Sequence, residues 1–89
     1  MTAIVTVVGK DRVGIIAAVC VKLAEYQVNV LDISQTVMQG YFTMMMAVDV
    51  DACTVPLAEL CRIMDAKGQE MGLSIRVQRQ DIFEAMHRI

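Results

Sequence analysis

Two runs of alternating side chains, residues 29–38 and 41–50, are joined by nothing more than Gln39-Gly40, and this juncture constrains the chain more than any other feature. A two-residue connection between strands requires a tight turn with positive φ at its centre, which Gly tolerates, and it pairs Met38 with Tyr41. The register of the hairpin follows from that pair. Leu31, Ile33, Val37, Phe42, Met44, Met46 and Val48 fall on one face, and Asp32, Ser34, Thr36, Thr43 and Asp49 on the other. The first set is the expected core side. Gln35 is the polar residue on that side and needs a hydrogen-bond partner there.

The elements around the hairpin follow from periodicity. Residues 3–8 form a short β-branched run suited to a central strand, with Gly9 as its expected end. Between residues 13 and 26, Val13, Ile16, Cys20 and Leu23 recur at helical spacing. Ile15, Ala18 and Val21 widen this apolar surface beyond what one core requires, which suggests contact with another chain. Pro56 suits the first turn of a second helix carrying Leu57, Leu60, Cys61, Met64, Gly68 and Met71, and Gly72 offers its C-cap. Leu73, Ile75 and Val77 alternate with Ser74, Arg76 and Gln78 as a fourth strand, and Asp81 and Glu84 have capping-box spacing for a short terminal helix. The order βαββαβ predicts an α+β, ferredoxin-like fold: a four-stranded antiparallel sheet with two helices on one face and a short C-terminal helix. At 89 residues this is a single domain, 1–89, able to bury roughly 60–65% of its unfolded surface.

Several function classes are excluded by composition and spacing. A net charge of −2 leaves no basic stripe, so no nucleic-acid partner is expected. With two Phe, two Tyr and no Trp there is no base-stacking platform either. No apolar run is long enough for a membrane span and the start of the chain lacks the layout of a secretion signal, so the expected location is cytoplasmic. Cys20, Cys53 and Cys61 are odd in number and have no C-x-x-C spacing, and therefore read as reduced thiols. Met44, Met45 and Met46 alternate faces and cannot converge on one soft metal ion; no cofactor or metal is expected. His87 is the single histidine, with no nucleophile placed to use it, and nothing sets Asp11 and Asp32 at an acid–base distance. The chain is not expected to be an enzyme.

The segment Gly9-Lys10-Asp11-Arg12-Val13-Gly14 runs from the first strand into the first helix. It admits two readings. Asp11 or a neighbour can be a helix N-cap, with Gly9 needed for turning. Alternatively the free N–H groups and positive dipole end of the helix can hold an anion. A phosphate-binding P-loop is ruled out, since Ile15 and Ile16 stand where Lys and Ser or Thr are required.

This loop, followed by a helix and by Val28-Asn29-Val30-Leu31-Asp32-Ile33, resembles an ACT domain, and the match runs over nearly the whole chain. With Asp81-Ile82-Phe83 and Met86-His87-Arg88-Ile89 at its end, the chain is similar to the small stand-alone single-ACT-domain proteins. The resemblance implies a regulatory module in a homodimer or higher homo-oligomer, binding an amino acid or similar small metabolite where the first loop of one protomer meets the start of the second strand of its partner. Carried over, the ligand-binding residues are Gly9, Lys10, Asp11, Arg12, Val13 and Gly14 with Asn29 and Val30. Asp11 matches the polar loop position that touches the ligand, Gly14 the small residue permitting close approach, and Asn29 the amide reaching across the interface. Gly9 stands where serine-binding members carry histidine and Val13 replaces a common proline, which argues against serine. Regulation is expected in trans on an unidentified protein partner. The alternative is a ligand-free protein–protein assembly module.

Overall fold

Strand β1 (Thr2–Lys10) sits inside the sheet because its residues can serve two neighbours at once: Val5 pairs with Met46 of β3 (Tyr41–Asp49) and with Val77 of β4 (Ser74–Arg79), both antiparallel. β2 (Asn29–Met38) closes the other side, giving the order β2-β3-β1-β4. Helix α1 (Ile15–Glu25) links β1 to β2, α2 (Leu57–Met71) links β3 to β4, and α3 (Gln80–Met86) follows β4 directly. This is a computed structural model, and it describes residues 1–86. His87, Arg88 and Ile89, part of the resemblance drawn above, lie outside the described residues.

One face of the sheet carries the core. Ala3, Val5 and Val7 of β1, Phe42, Met44, Met46 and Val48 of β3, and Ile75 and Val77 of β4 are buried together with Ile15, Val19 and Leu23 of α1 and Leu60 and Met64 of α2. Both helices therefore pack on the same side, the ferredoxin-like arrangement that the element order predicts. The hairpin also follows the sequence. Met38 pairs with Tyr41, and Gln39 (φ 51°) and Gly40 (φ 82°) both take positive φ, as a type I′ turn requires. Gly72 ends α2 in the left-handed region, and Pro56 sits at the N-cap, its carbonyl accepting from Leu60 N–H at 3.0 Å.

Other expectations are corrected. Gly9 does not end β1. The strand continues to Lys10, and Gly9 pairs with Phe42, because a Cβ there would stand 2.3 Å from Leu73 Cδ2: close approach, not turning, demands glycine. α1 starts at Ile15, two residues late, and buries Ile15, Val19 and Leu23; Val13 precedes it and is exposed, while Ile16 and Cys20 are half-buried. Leu31 does not join the core side. A β-bulge between Val30 and Asp32 takes up one residue, so Val30 pairs with Val48 and Leu31 is 54% exposed. Ile33 and Val37 pair with Met46 and Phe42 as expected, yet they are 40% and 55% exposed, because β2 lies at the sheet edge beyond the cover of the helices. Asp81 is not an N-cap either. It lies inside α3, where Ile82 N–H donates to its Oδ1 and Gln80 Nε2 donates to Glu84 Oε1.

Candidate functional site

The first loop leaves the sheet beside the hairpin, since Lys10 pairs with Tyr41 and Asp11 N–H donates to the Gly40 carbonyl at 2.8 Å. Neither Asp11 nor a neighbouring side chain caps α1. Gly14 occupies the N-cap at φ 91°, in the left-handed region, without any side-chain cap hydrogen bond. The N-cap reading of Asp11 is thereby overturned, and the Asp11 carboxylate stays exposed. The first intrahelical bond runs from Ala18 N–H to the Gly14 carbonyl at 2.9 Å, so the N–H groups of Ile15, Ile16 and Ala17 lie ahead of it.

These pieces enclose an open groove of about 560 Å³ between the start of α1 and the far end of β2. Asp11, Arg12 and Gly14 form one side with Ile15, Ile16 and Ala17; Gln35, Thr36 and Val37 of β2 form the other, and Phe42 contributes to the lining. Arg12 is partly engaged, since its Nη2 donates to the Met71 carbonyl at 2.5 Å near the end of α2. Its guanidinium retains further donors, and with no basic residue in the last turn of α2 it ties the loop to that helix end. Chemically the groove offers a cation and helix N–H groups suited to a carboxylate, a carboxylate suited to an ammonium, and apolar walls between them.

Not every residue assigned by sequence reaches this place. Asp11, Arg12 and Gly14 line the groove. Gly9 and Lys10 belong to the end of β1, and Val13 points to solvent. Asn29 and Val30 lie at the opposite end of the sheet, where Asn29 pairs with Asp49, roughly 30 Å of strand away from the hairpin. A single chain does not bring them to the loop. Gln35, Thr36, Val37 and Phe42 were missed as lining residues; the pairing of Val37 with Phe42, and of Phe42 with Gly9, was the available signal. Among the described residues no group of three or more His, Cys, Asp or Glu is placed to hold a metal ion, and no helix is long and apolar enough to cross a membrane. Burial pushes the Cys61 thiol up from its ordinary range, a backbone hydrogen bond opposing it in part, while its Sγ donates to the Val77 carbonyl at 3.2 Å.

Comparison with known proteins agrees with this architecture. A UPF0237 protein of Listeria innocua is 48% identical over 89 residues, covering all of both chains. An ACT domain protein from Streptococcus pneumoniae superposes with a TM-score of 0.83 at 46% identity, covering 94% of each chain. The regulatory subunit of aspartate kinase from Thermus thermophilus matches with a TM-score of 0.68 at 26% identity, over 86% of this chain and 50% of that one. The model of the ACT domain family matches residues 1–78, and the chain belongs to that family of small regulatory domains.

Proposed function

We propose that this chain is a ligand-sensing regulatory module that binds an amino acid or similar zwitterionic metabolite within a homodimer and acts on another polypeptide in trans. The observation that carries this reading is the groove beside Gly14, whose volume lies in the range of small-molecule sites. A ligand α-carboxylate meets the N–H groups at the start of α1 and the spare donors of Arg12, and an α-ammonium meets Asp11. Asn29 of the partner subunit supplies an amide from across the interface, with the partner's Val30 beside it. Gly9 and Lys10 carry the chain into the loop, and Val13 flanks the entrance. That the similar Thermus thermophilus protein is a regulatory subunit supports a regulatory role here. No hydrogen bond joins Thr36 to Asp11 in the groove, and the module is read as regulating without catalysis of its own.

A thermal-shift screen of the standard amino acids and related metabolites tests the reading, because a ligand specific to the native state raises its melting temperature. The ligand found should lose its effect on Asp11→Ala. Regulation then requires that ligand and protein partner alter each other's affinity reciprocally, measurable by calorimetry. One observation favours an assembly module without a ligand: Leu31, Ile33, Val37 and Met38 of β2 are exposed. Under that reading no metabolite shifts the melting temperature and Asp11→Ala leaves partner binding intact.

A further inference from the structure

Gln35 breaks the pattern of its strand. On the helix side of β2 it stands between the apolar Ile33 and Val37, and it pairs with Met44, which is fully buried. It lines the groove, and among the described residues no hydrogen bond links its side chain to another. An amide open to water is satisfied at no cost. Under a bound ligand it is not, and whatever covers it must return the hydrogen bonds that water gave.

The groove has a direction. Asp11 N–H is bonded to Gly40 at the turn, and Val37 is level with the start of the loop because Val37 and Gly9 both pair with Phe42. Gln35, two residues back along β2, lies roughly 7 Å further from the turn. Helix α1, which returns from the end of β1 to the start of β2, runs the same way from Gly14. Charge is confined to the loop end: of the lining residues only Asp11 and Arg12 carry it, one of each sign. These two complement a zwitterionic main chain and leave no partner for a charged side chain. Beyond them Ile16 and Val37 make an apolar path toward Gln35.

We infer that Gln35 selects the ligand of the groove, and that this ligand is a neutral amino acid whose side chain ends in a carboxamide. This rests on the amino-acid site read above and names its ligand class. With the main chain held at Asp11 and Arg12, an extended glutamine side chain carries its amide about 5 Å from Cα, past Val37 and toward the Gln35 amide. Each carboxamide holds donors and an acceptor, so the two satisfy one another. Leucine or methionine covers Gln35 and returns no bond. Glutamate has the length but brings a second negative charge, and Arg12, the one cation of the lining, already serves the α-carboxylate and the Met71 carbonyl.

Calorimetric titration with glutamine, asparagine, leucine, methionine, glutamate and lysine tests the assignment, on the unsubstituted protein and on Gln35→Met, which keeps the length of the side chain and removes its amide. Glutamine should bind the unsubstituted protein about ten-fold or more tightly than leucine, methionine or glutamate, the worth of one net hydrogen bond. Gln35→Met should lose that advantage and bind leucine or methionine more tightly than glutamine. Since Gln35 is exposed, the variant should melt with the unsubstituted protein when no ligand is present. Equal or tighter binding of an amino acid without a carboxamide to the unsubstituted protein, or an unchanged order of preference in Gln35→Met, overturns the role of Gln35 and leaves the amino-acid site standing. Binding of none of the standard amino acids overturns both.

Discussion

A methyl group on Gly68 would stand 2.7 Å from the carbonyl oxygen of Leu73, and that carbonyl is backbone at the entry to β4. Alanine is the better helix former by about 1 kcal/mol, so helix propensity alone favours Gly68→Ala. The clash decides against it. Leu73 N–H already donates to the Gly68 carbonyl at 2.7 Å, which leaves the segment no room to retreat. Gly68→Ala should destabilise the fold by about 2 kcal/mol or more. Gly9→Ala, whose clash is with the movable Leu73 Cδ2, should cost about half as much. Urea unfolding of the two variants gives the comparison, and equal midpoints would contradict it.

Gly14 makes a different demand. Nothing lies within 4 Å of a Cβ placed there, so the restriction comes from its φ of 91° and not from space. Gly14→Val should cost about 1–2 kcal/mol of backbone strain, well short of a large core truncation, yet abolish ligand-induced thermal stabilisation because the new side chain stands at the groove. Melting curves with and without ligand separate the two effects.

Asp11 and Asn29 are exposed. Asp11→Ala combined with Asn29→Ala should therefore change unfolding free energy by no more than about 0.5 kcal/mol while eliminating metabolite binding in calorimetry. A large loss of stability in this double variant would make the positions structural.

The methionine run tests the sheet faces directly. Met44 and Met46 are fully buried and Met45 is 38% exposed on the opposite face. Met44→Ala should cost about 2–5 kcal/mol. Met45→Ala, which opens no interior cavity, should cost less than 1 kcal/mol. Peroxide should oxidise Met45 well before Met44 or Met46, as peptide mass spectrometry would reveal.

Cys61 supplies a pH signature. Burial raises the pKa of its thiol above the ordinary value, so the folded protein holds the proton more tightly than the unfolded chain. The stabilisation is present below the ordinary thiol pKa and is lost as pH rises through the raised one. Alkylation of Cys61 should accordingly reach half-maximal rate at a higher pH than that of free cysteine, a profile that isotope-coded alkylation can record.

The local periodicities of this chain are properties of the chain itself. Alternation about Gln39-Gly40 specifies the hairpin and the pairing of Val37 with Phe42, and the stripe from Leu57 to Met71 specifies the buried face of α2, because pleat and helix pitch are set by covalent geometry. The succession of these elements is enough to predict the fold. The same alternation cannot report what covers a face: Ile33 and Val37 have the core pattern yet are exposed, since the position of α1 relative to the sheet edge depends on packing among segments far apart in sequence. The bulge at Leu31 belongs to the same category, being a compromise between strand register and the entry from α1 that no local signal announces. The candidate site divides along this line. Asp11, Arg12 and Gly14 are legible as a helix-entry loop, whereas the groove exists because Asp11 bonds to Gly40 and brings Gln35, Thr36 and Val37 opposite that loop, contacts formed only when strands distant in sequence pair.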